Sequence, residues 1–252
     1  MNQRIAKVIA QNGHCSRRQA EALINEGKVF LNNHKVLECA TFVKAGDTIR
    51  IDRKTIQVDF KSIASREIKL FMMNKPINTI CTEIDEVDRQ RQTVTSLIPK
   101  KLGRLIMIGR LDYNSEGLLL FTNDGHFAEF LMHPRTELKR LYKVRITSQL
   151  SDEDVKKLEI GLKIKHESYR PIKVIERKGK KEAKNSWVML ELTEGKNREI
   201  RKAMEHLGHE VSRLVRVAYA DLALGAIPKG ELVEIHPELY KELVEKFKED
   251  KK

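Results

Sequence analysis

The chain has 252 residues, 40% hydrophobic and 33% charged, with 48 Lys and Arg against 36 Asp and Glu for a formal net charge of +12. That length and apolar share exclude a disordered or fibrous chain and support one large domain plus a small one, while the absence of any apolar run of membrane-span length, and the charges Arg4 and Lys7 within Met1 to Gln11, argue against a membrane span or a secretory leader and for a cytoplasmic protein. The basic balance points to a polyanionic partner, because each Lys or Arg that meets a phosphate releases condensed counterion, with plain solvated surface as the alternative.

In chain order, Arg4 to Gln11 places apolar residues at helical spacing and stops near Gly13. Ser16-Arg17-Arg18-Gln19 fits a capping box for a helix over 17–25, which Gly27 ends. A strand over 28–31 turns at Asn32-Asn33 and returns through 35–37, and Thr48 to Ile51 follows a Gly46-Asp47 turn. Residues 1–60 thus read as a small separate module. Arg17 and Arg18 fall in the first turn of a helix, where the macrodipole disfavours cations; approaching phosphates would explain them, and solvent-facing arginines are the alternative. Arg4, Lys28 and Lys35 are weaker candidates for the same surface. Residues 61–68 have no clear apolar period and read as a linker.

The larger domain, 69–238, opens with a strand at Leu70 to Met73 that ends at Asn74-Lys75-Pro76. The loop from Cys81 to Gln92 mixes Glu83, Asp85, Glu86, Asp88, Arg89 and Arg91 and reads as exposed. Gly117 to Phe121, uncharged and leucine-rich, closes on Asn123-Asp124-Gly125 and reads as an interior strand, so Asp112 stands in a loop entering the core. On these grounds alone Asp112 is either a turn aspartate paired with Arg110 or a carboxylate held rigidly for use. A short helix over 127–132 ends at His133-Pro134. Lys139 to Thr147 alternates as a half-buried strand, with Tyr142, Val144 and Ile146 on one face. Ser151-Asp152-Glu153-Asp154 opens a helix through Leu158. Strands at 171–176 and 186–193 flank a Lys178-Gly179-Lys180-Lys181 turn, Arg198 to Leu207 is helical up to Gly208, and Leu214 to Val217 is a strand. Residues 239–252 form a Lys- and Glu-rich helix or tail that frays. Strands in runs with few helices predict an α+β fold with a mostly antiparallel sheet. Cys15, Cys39 and Cys81 lack Cys-x-x-Cys spacing and read as free thiols, and His206 with His209 reads as a surface or capping pair, so no metal is expected.

Two stretches of the first module, 10–21 and 27–32, resemble the S4 RNA-binding domain. The segment Gly109-Arg110-Leu111-Asp112, continuing through Ser115-Glu116-Gly117-Leu118-Leu119 and Thr122-Asn123-Asp124-Gly125, resembles the central motif of the bacterial ribosomal RNA pseudouridine synthases of the RsuA and RluB types. That resemblance implies an isomerase that needs no metal and no cofactor, acts on ribosomal RNA, and uses Asp112 as nucleophile; a monomer is the expected state. Leu192 to Arg201 resembles the family's late motif, which implies that Arg201 pairs with the nucleophile and that Ile200 packs on the uracil face. Lys139-Arg140-Leu141-Tyr142-Lys143-Val144 resembles the family's strand motif; Tyr142 would stack on the base and relay the C5 proton, whereas alternation alone favours core filling. By the same analogy Arg110 fills the gap left by the extracted nucleotide. Lys196 and Arg198 stand where a helix N-terminus could hold phosphate. The Asn197-Arg198-Glu199-Ile200-Arg201 version of the motif looks closer to the large-subunit enzymes. One departure stands out: the family usually has glycine where this chain has Asn78, a residue that tolerates a left-handed backbone. The rival reading is a noncatalytic S4-type RNA-binding or ribosome-assembly protein, which has no need to bring Asp112, Tyr142 and Arg201 together.

Overall fold

Gln3–Arg4 (β1) leads into helix α1, Ile5–Gln11, and Ser16 caps helix α2, Arg17–Asn25. Gln19 N–H donates to Ser16 Oγ at 3.2 Å and Ser16 N–H to Gln19 Oε1 at 2.8 Å, the capping box that the sequence predicts. The computed structural model describes residues 2–82, 91–179 and 184–250. They fall into two units, Met1–Ile68 with Lys100–Ile106 and Asn123–Gly125, and Lys69–Pro99 with Met107–Thr122 and His126–Lys252.

In the first unit, strands β2 Val29–Leu31, β3 His34–Lys35, β4 Phe42–Val43, β5 Thr48–Ile51 and β6 Lys54–Gln57 follow the helices. β3-β2-β5-β6 form one antiparallel sheet and β4 pairs with β1. Ile5, Val8 and Ile9 of α1 join Ala20 and Ile24 of α2 and Val29, Ile49 and Ile51 of the sheet in its core. The stretch read as a linker carries helix α3, Phe60–Ala64, with Asp59 accepting from Lys61 N–H at 2.9 Å and Ser62 N–H at 3.2 Å. Phe60 and Ile63 pack on that core, and one i, i+3 pair is too short a pattern to show as a helical period.

The second unit holds β7 Leu70–Lys75, β8 Ile106–Ile108, β9 Glu116–Thr122, α4 Gly125–Met132, β10 Arg140–Thr147, α5 Asp152–Ile160, β11 Leu162–Ile164 and β12 Glu167–Tyr169. It continues through β13 Lys173–Lys178, β14 Asn185–Leu192, α6 Glu199–His206, β15 Val211–Tyr219, β16 Leu222–Ala223, β17 Leu232–Glu234 and α7 Lys241–Asp250. The main sheet runs β13-β14-β10-β15-β9-β7-β17, antiparallel throughout except where β15 lies parallel to β9. This is the α+β, mostly antiparallel architecture expected. All seven residues of β9 are buried, and β10 alternates with Tyr142, Val144 and Ile146 inward and Lys143 and Arg145 outward. Gly117 has φ 102° and the backbone of Arg216 fills the space a Cβ would take, so only glycine allows β9 and β15 to meet there.

Two further expectations need correction. The charged tail is docked: Leu243 and Phe247 of α7 are buried, and the Phe247 ring lies 5.2 Å and 5.5 Å from Phe127 and Phe130. A Leu/Phe pair at i, i+4 anchors a helix that its Lys and Glu content makes look solvated. His209 is buried, with Nδ1 2.8 Å from Ser148 Oγ and Nε2 3.3 Å from Asp154 Oδ2, a carboxylate that the Ser151–Asp154 capping box holds in the first turn of α5. Glu83, Asp85, Glu86, Asp88 and Arg89 of the predicted exposed loop, and Lys180-Lys181 of the predicted turn, lie outside the described residues. Among the described residues no helix is long and apolar enough to cross a membrane.

Candidate active site

The loop between β8 and β9 is pinned by its backbone. Ser115 N–H closes a turn on Asp112 C=O at 3.0 Å, and Lys75 Nζ donates to the carbonyls of Pro76, Asp112 and Ser115 at 3.0, 3.2 and 2.8 Å. Leu111 N–H donates to Cys81 Sγ at 3.3 Å. Asn78, with φ 61°, adopts the left-handed backbone and donates its N–H to Tyr113 C=O at 2.9 Å, so the turn survives without glycine. These contacts leave the Asp112 carboxylate, 28% exposed, at a cleft of about 890 Å³ lined also by Arg110, Tyr142, Lys196, Arg198 and Ile200.

Arg201, in the first turns of α6, has a side chain only 14% exposed. Nη1 donates to Val211 C=O at 3.0 Å and Nη2 to Asn114 C=O at 2.9 Å, which aims Nε at Asp112 Oδ2, 3.8 Å away. Nε has no hydrogen-bond partner of its own, so the pair is poised rather than closed. Burial, with Arg198 adding repulsion and Asp112 opposing both, lowers the guanidinium's hold on its proton without approaching neutrality. Arg198 Nη1 approaches the same carboxylate oxygen at 3.9 Å from a half-exposed position; its residue caps α6 with φ 53°. Tyr142, 9% exposed, and Ile200, buried, form apolar walls. Lys196 Nζ pairs with Glu194 at 3.2 Å and donates to Ser168 C=O, so it is partly spoken for.

The structure thus gathers Asp112, Tyr142, Arg201, Ile200, Arg198, Lys196 and Arg110 around one cleft. The remaining candidates belong to the first unit. Arg17 and Arg18 are exposed in the first turn of α2, Arg4 is exposed at the start of α1, and Lys28 is paired with Glu26 at 2.6 Å. Lys35 lies across Gly27, where a Cβ would strike its side chain.

Three further groups, Arg140 and Glu199 lining this cleft and Lys75 behind the Asp112–Ser115 turn, carry no sequence signal of their own. Lys75 is fully buried, and burial pulls its pKa down while Cys81, Asp112 and Glu116 oppose the shift. Arg140 Nη1 donates to Thr193 C=O at 2.9 Å and Nη2 to Tyr219 Oη at 2.9 Å, bracing the cleft wall. Glu199 is buried with Oε2 accepting from Lys196 N–H at 2.8 Å; burial, and the Glu194 carboxylate beside it, push its carboxyl up to about 7. The folded chain therefore keeps this proton up to about pH 7, whereas an unfolded glutamate releases it near 4.5. Stability is favoured below 4.5, falls as pH rises through 7, then levels. Glu199→Gln should remove that slope, melting close to wild type at pH 5 and about 5 °C higher at pH 8. Parallel melting curves at both pH values would refute the assignment.

The family model for RNA pseudouridylate synthase matches residues 69–206, and the S4 domain model matches residues 3–49. The ribosomal large subunit pseudouridine synthase B of Bacillus subtilis (strain 168) is 36% identical over 241 residues, covering 96% of this chain and 95% of the relative. Its namesake in Escherichia coli (strain K12) is 38% identical over 256 residues, covering 94% and 86%, and that of Yersinia pestis 37% over 243 residues, covering 93% and 73%. A solved structure of a pseudouridylate synthase superposes with a TM-score of 0.65 at 23% identity, covering 95% of this chain and 99% of that one, and so shares the fold. With a matching domain that spans more than half its length and relatives 36–38% identical over most of it, the chain belongs to the RNA pseudouridylate synthase family and is a pseudouridine synthase with an S4 domain.

Proposed function

We propose that this enzyme converts a uridine of large-subunit ribosomal RNA into pseudouridine, with Asp112 as nucleophile. The observation that carries the reading is Arg201 Nε held 3.8 Å from Asp112 Oδ2 at a cleft walled by Tyr142 and Ile200. The names of the similar B. subtilis and E. coli proteins supply the large-subunit substrate. In the reaction the ribose C1'–N1 bond breaks and C1' bonds to C5; C5 loses a proton, N1 gains one, and the Asp112 carboxylate is regenerated. Nothing is oxidised or hydrolysed, so the protein's task is to hold the attacking oxygen in position and the detached base in place. Arg201 serves the first need, while the Tyr142 ring and Ile200 hold the base between them for the second, with the Tyr142 hydroxyl relaying the C5 proton. Arg198 and Lys196 would meet the phosphates of an everted nucleotide and Arg110 would fill the gap it leaves, together offsetting the few kcal/mol, in order of magnitude, that eversion costs. The whole set comes from one chain, which fits a monomer working in the cytoplasm.

Ribosomal RNA from cells lacking the gene, sequenced after chemical marking of pseudouridine, should lose one mark in the large-subunit RNA that wild type restores and Asp112→Asn does not. An unchanged pattern would count against this substrate. Arg17 and Arg18, exposed on the S4 domain, should contribute phosphate contacts, with Arg4, Lys35 and Lys28, once released from Glu26, as lesser ones. Replacing both arginines by Ala should lower the slope of log affinity against log salt by about 2. An identical slope would remove them from the RNA surface.

A further inference from the structure

Among the described residues of the second unit, the buried side-chain polar atoms left without a hydrogen-bond partner are Arg201 Nε, Glu199 Oε1 and Arg216 Nη2. Arg201 faces Asp112, and Glu199 Oε1 neighbours the Glu194 carboxylate. Arg216 has no such account. Its residue is 3% exposed, Nε donates to Leu118 C=O at 2.7 Å, and the guanidinium carbon lies 5.3 Å from the Tyr219 ring. It forms no ion pair among the described residues. A permanently charged, buried donor with an open N–H costs far more than a neutral side chain of the same size, unless an acceptor arrives.

Arg216 lines the cleft with Asp112 and Tyr142, and in the β10–β15 register it stands directly opposite Tyr142. An acceptor there must reach past the mouth, where the half-exposed Arg198 and exposed Arg110 already suit phosphate. A phosphate would have to shed its water to go deeper. The base of an everted uridine stacked on Tyr142 reaches that depth and presents two carbonyl oxygens. Resting on the uridine reading above, we infer that Arg216 Nη2 donates to a uracil carbonyl oxygen and so fixes the base while its bond to ribose is broken. The contact is also a filter if the oxygen is O4, because cytosine carries a donor amino group there and two donors would face each other.

Single-turnover rates on an RNA stem-loop with natural uridine, 2-thiouridine or 4-thiouridine at the target test this, since sulfur is the weaker acceptor. Arg216→Lys, which keeps the charge and loses Nη2, should slow the natural RNA about ten- to a hundred-fold. One thio-substituted RNA should be slowed in wild type yet suffer little further loss in the variant, the non-additivity that marks a direct contact. Losses that add for both analogues would overturn the inference and leave Arg216 a strut for Leu118. If Arg216→Lys does not fold, wild type alone decides: rates within about two-fold for all three RNAs would also overturn it. No product from natural RNA with wild type would instead sink the uridine reading itself.

Discussion

Asp112→Asn should release no measurable tritium from C5-labelled uridine in ribosomal RNA, a drop on the order of 10⁴-fold or more. The substitution keeps the side chain's shape and removes only its ability to bond to a carbon of the nucleoside and leave again. Little stability should go with it. The carboxylate is 28% exposed and its two arginine neighbours stand 3.8 and 3.9 Å away, so no close ion pair is broken. RNA affinity should hold or rise slightly, because a negative charge disappears from a cleft ringed by Arg110, Arg198 and Lys196. Wild-type tritium release by the variant would end the assignment of Asp112 as nucleophile. A variant that neither binds nor folds is excluded by a melting curve and a binding isotherm taken alongside.

Lys75→Met should be the most damaging change away from the reacting atoms. Lys75 is 0% exposed, and its ammonium holds three carbonyls, two of them in the Asp112–Ser115 turn. Methionine fills the volume but takes the ammonium donor from all three carbonyls, of which Asp112 C=O keeps the Ser115 N–H, at a cost of about 3–5 kcal/mol. For a chain of this size that is roughly a 10 °C fall in Tm. The surviving folded protein should turn over about a hundred-fold more slowly, since the nucleophile's backbone has lost a fixed donor and small misplacements are expensive in rate. A variant that melts with wild type, or keeps full tritium release, would show that the turn holds itself.

Much of this fold is legible because its signals are local. The capping box at Ser16 and Gln19, the apolar run of β9 and the alternation of β10 each follow from a few consecutive residues. What escapes is either too short or disguised. β11, β12 and β17 are three residues each, below the length at which alternation can register. Phe60 with Ile63, and Leu243 with Phe247, are single anchoring pairs among polar neighbours. The candidate site divides the same way. Asp112, Tyr142 and Arg201 are picked out by motif, because no period links a loop, a strand and a helix so far apart in the chain. Lys75, Glu199 and Arg216 are invisible for a different reason. A lysine ending a strand, a glutamate opening a helix and an arginine in a strand all look solvated until the tertiary fold buries them.

The parallel pairing of β15 with β9 sets an order of events. β9 follows Asp112 closely, but its neighbour β15 lies beyond α6, so a polypeptide emerging from a ribosome exposes the aspartate well before Arg201 and the strand behind it exist. A newborn chain is thus chemically mute toward any RNA it meets during synthesis, and becomes an enzyme only when its late segments close the sheet over the early ones.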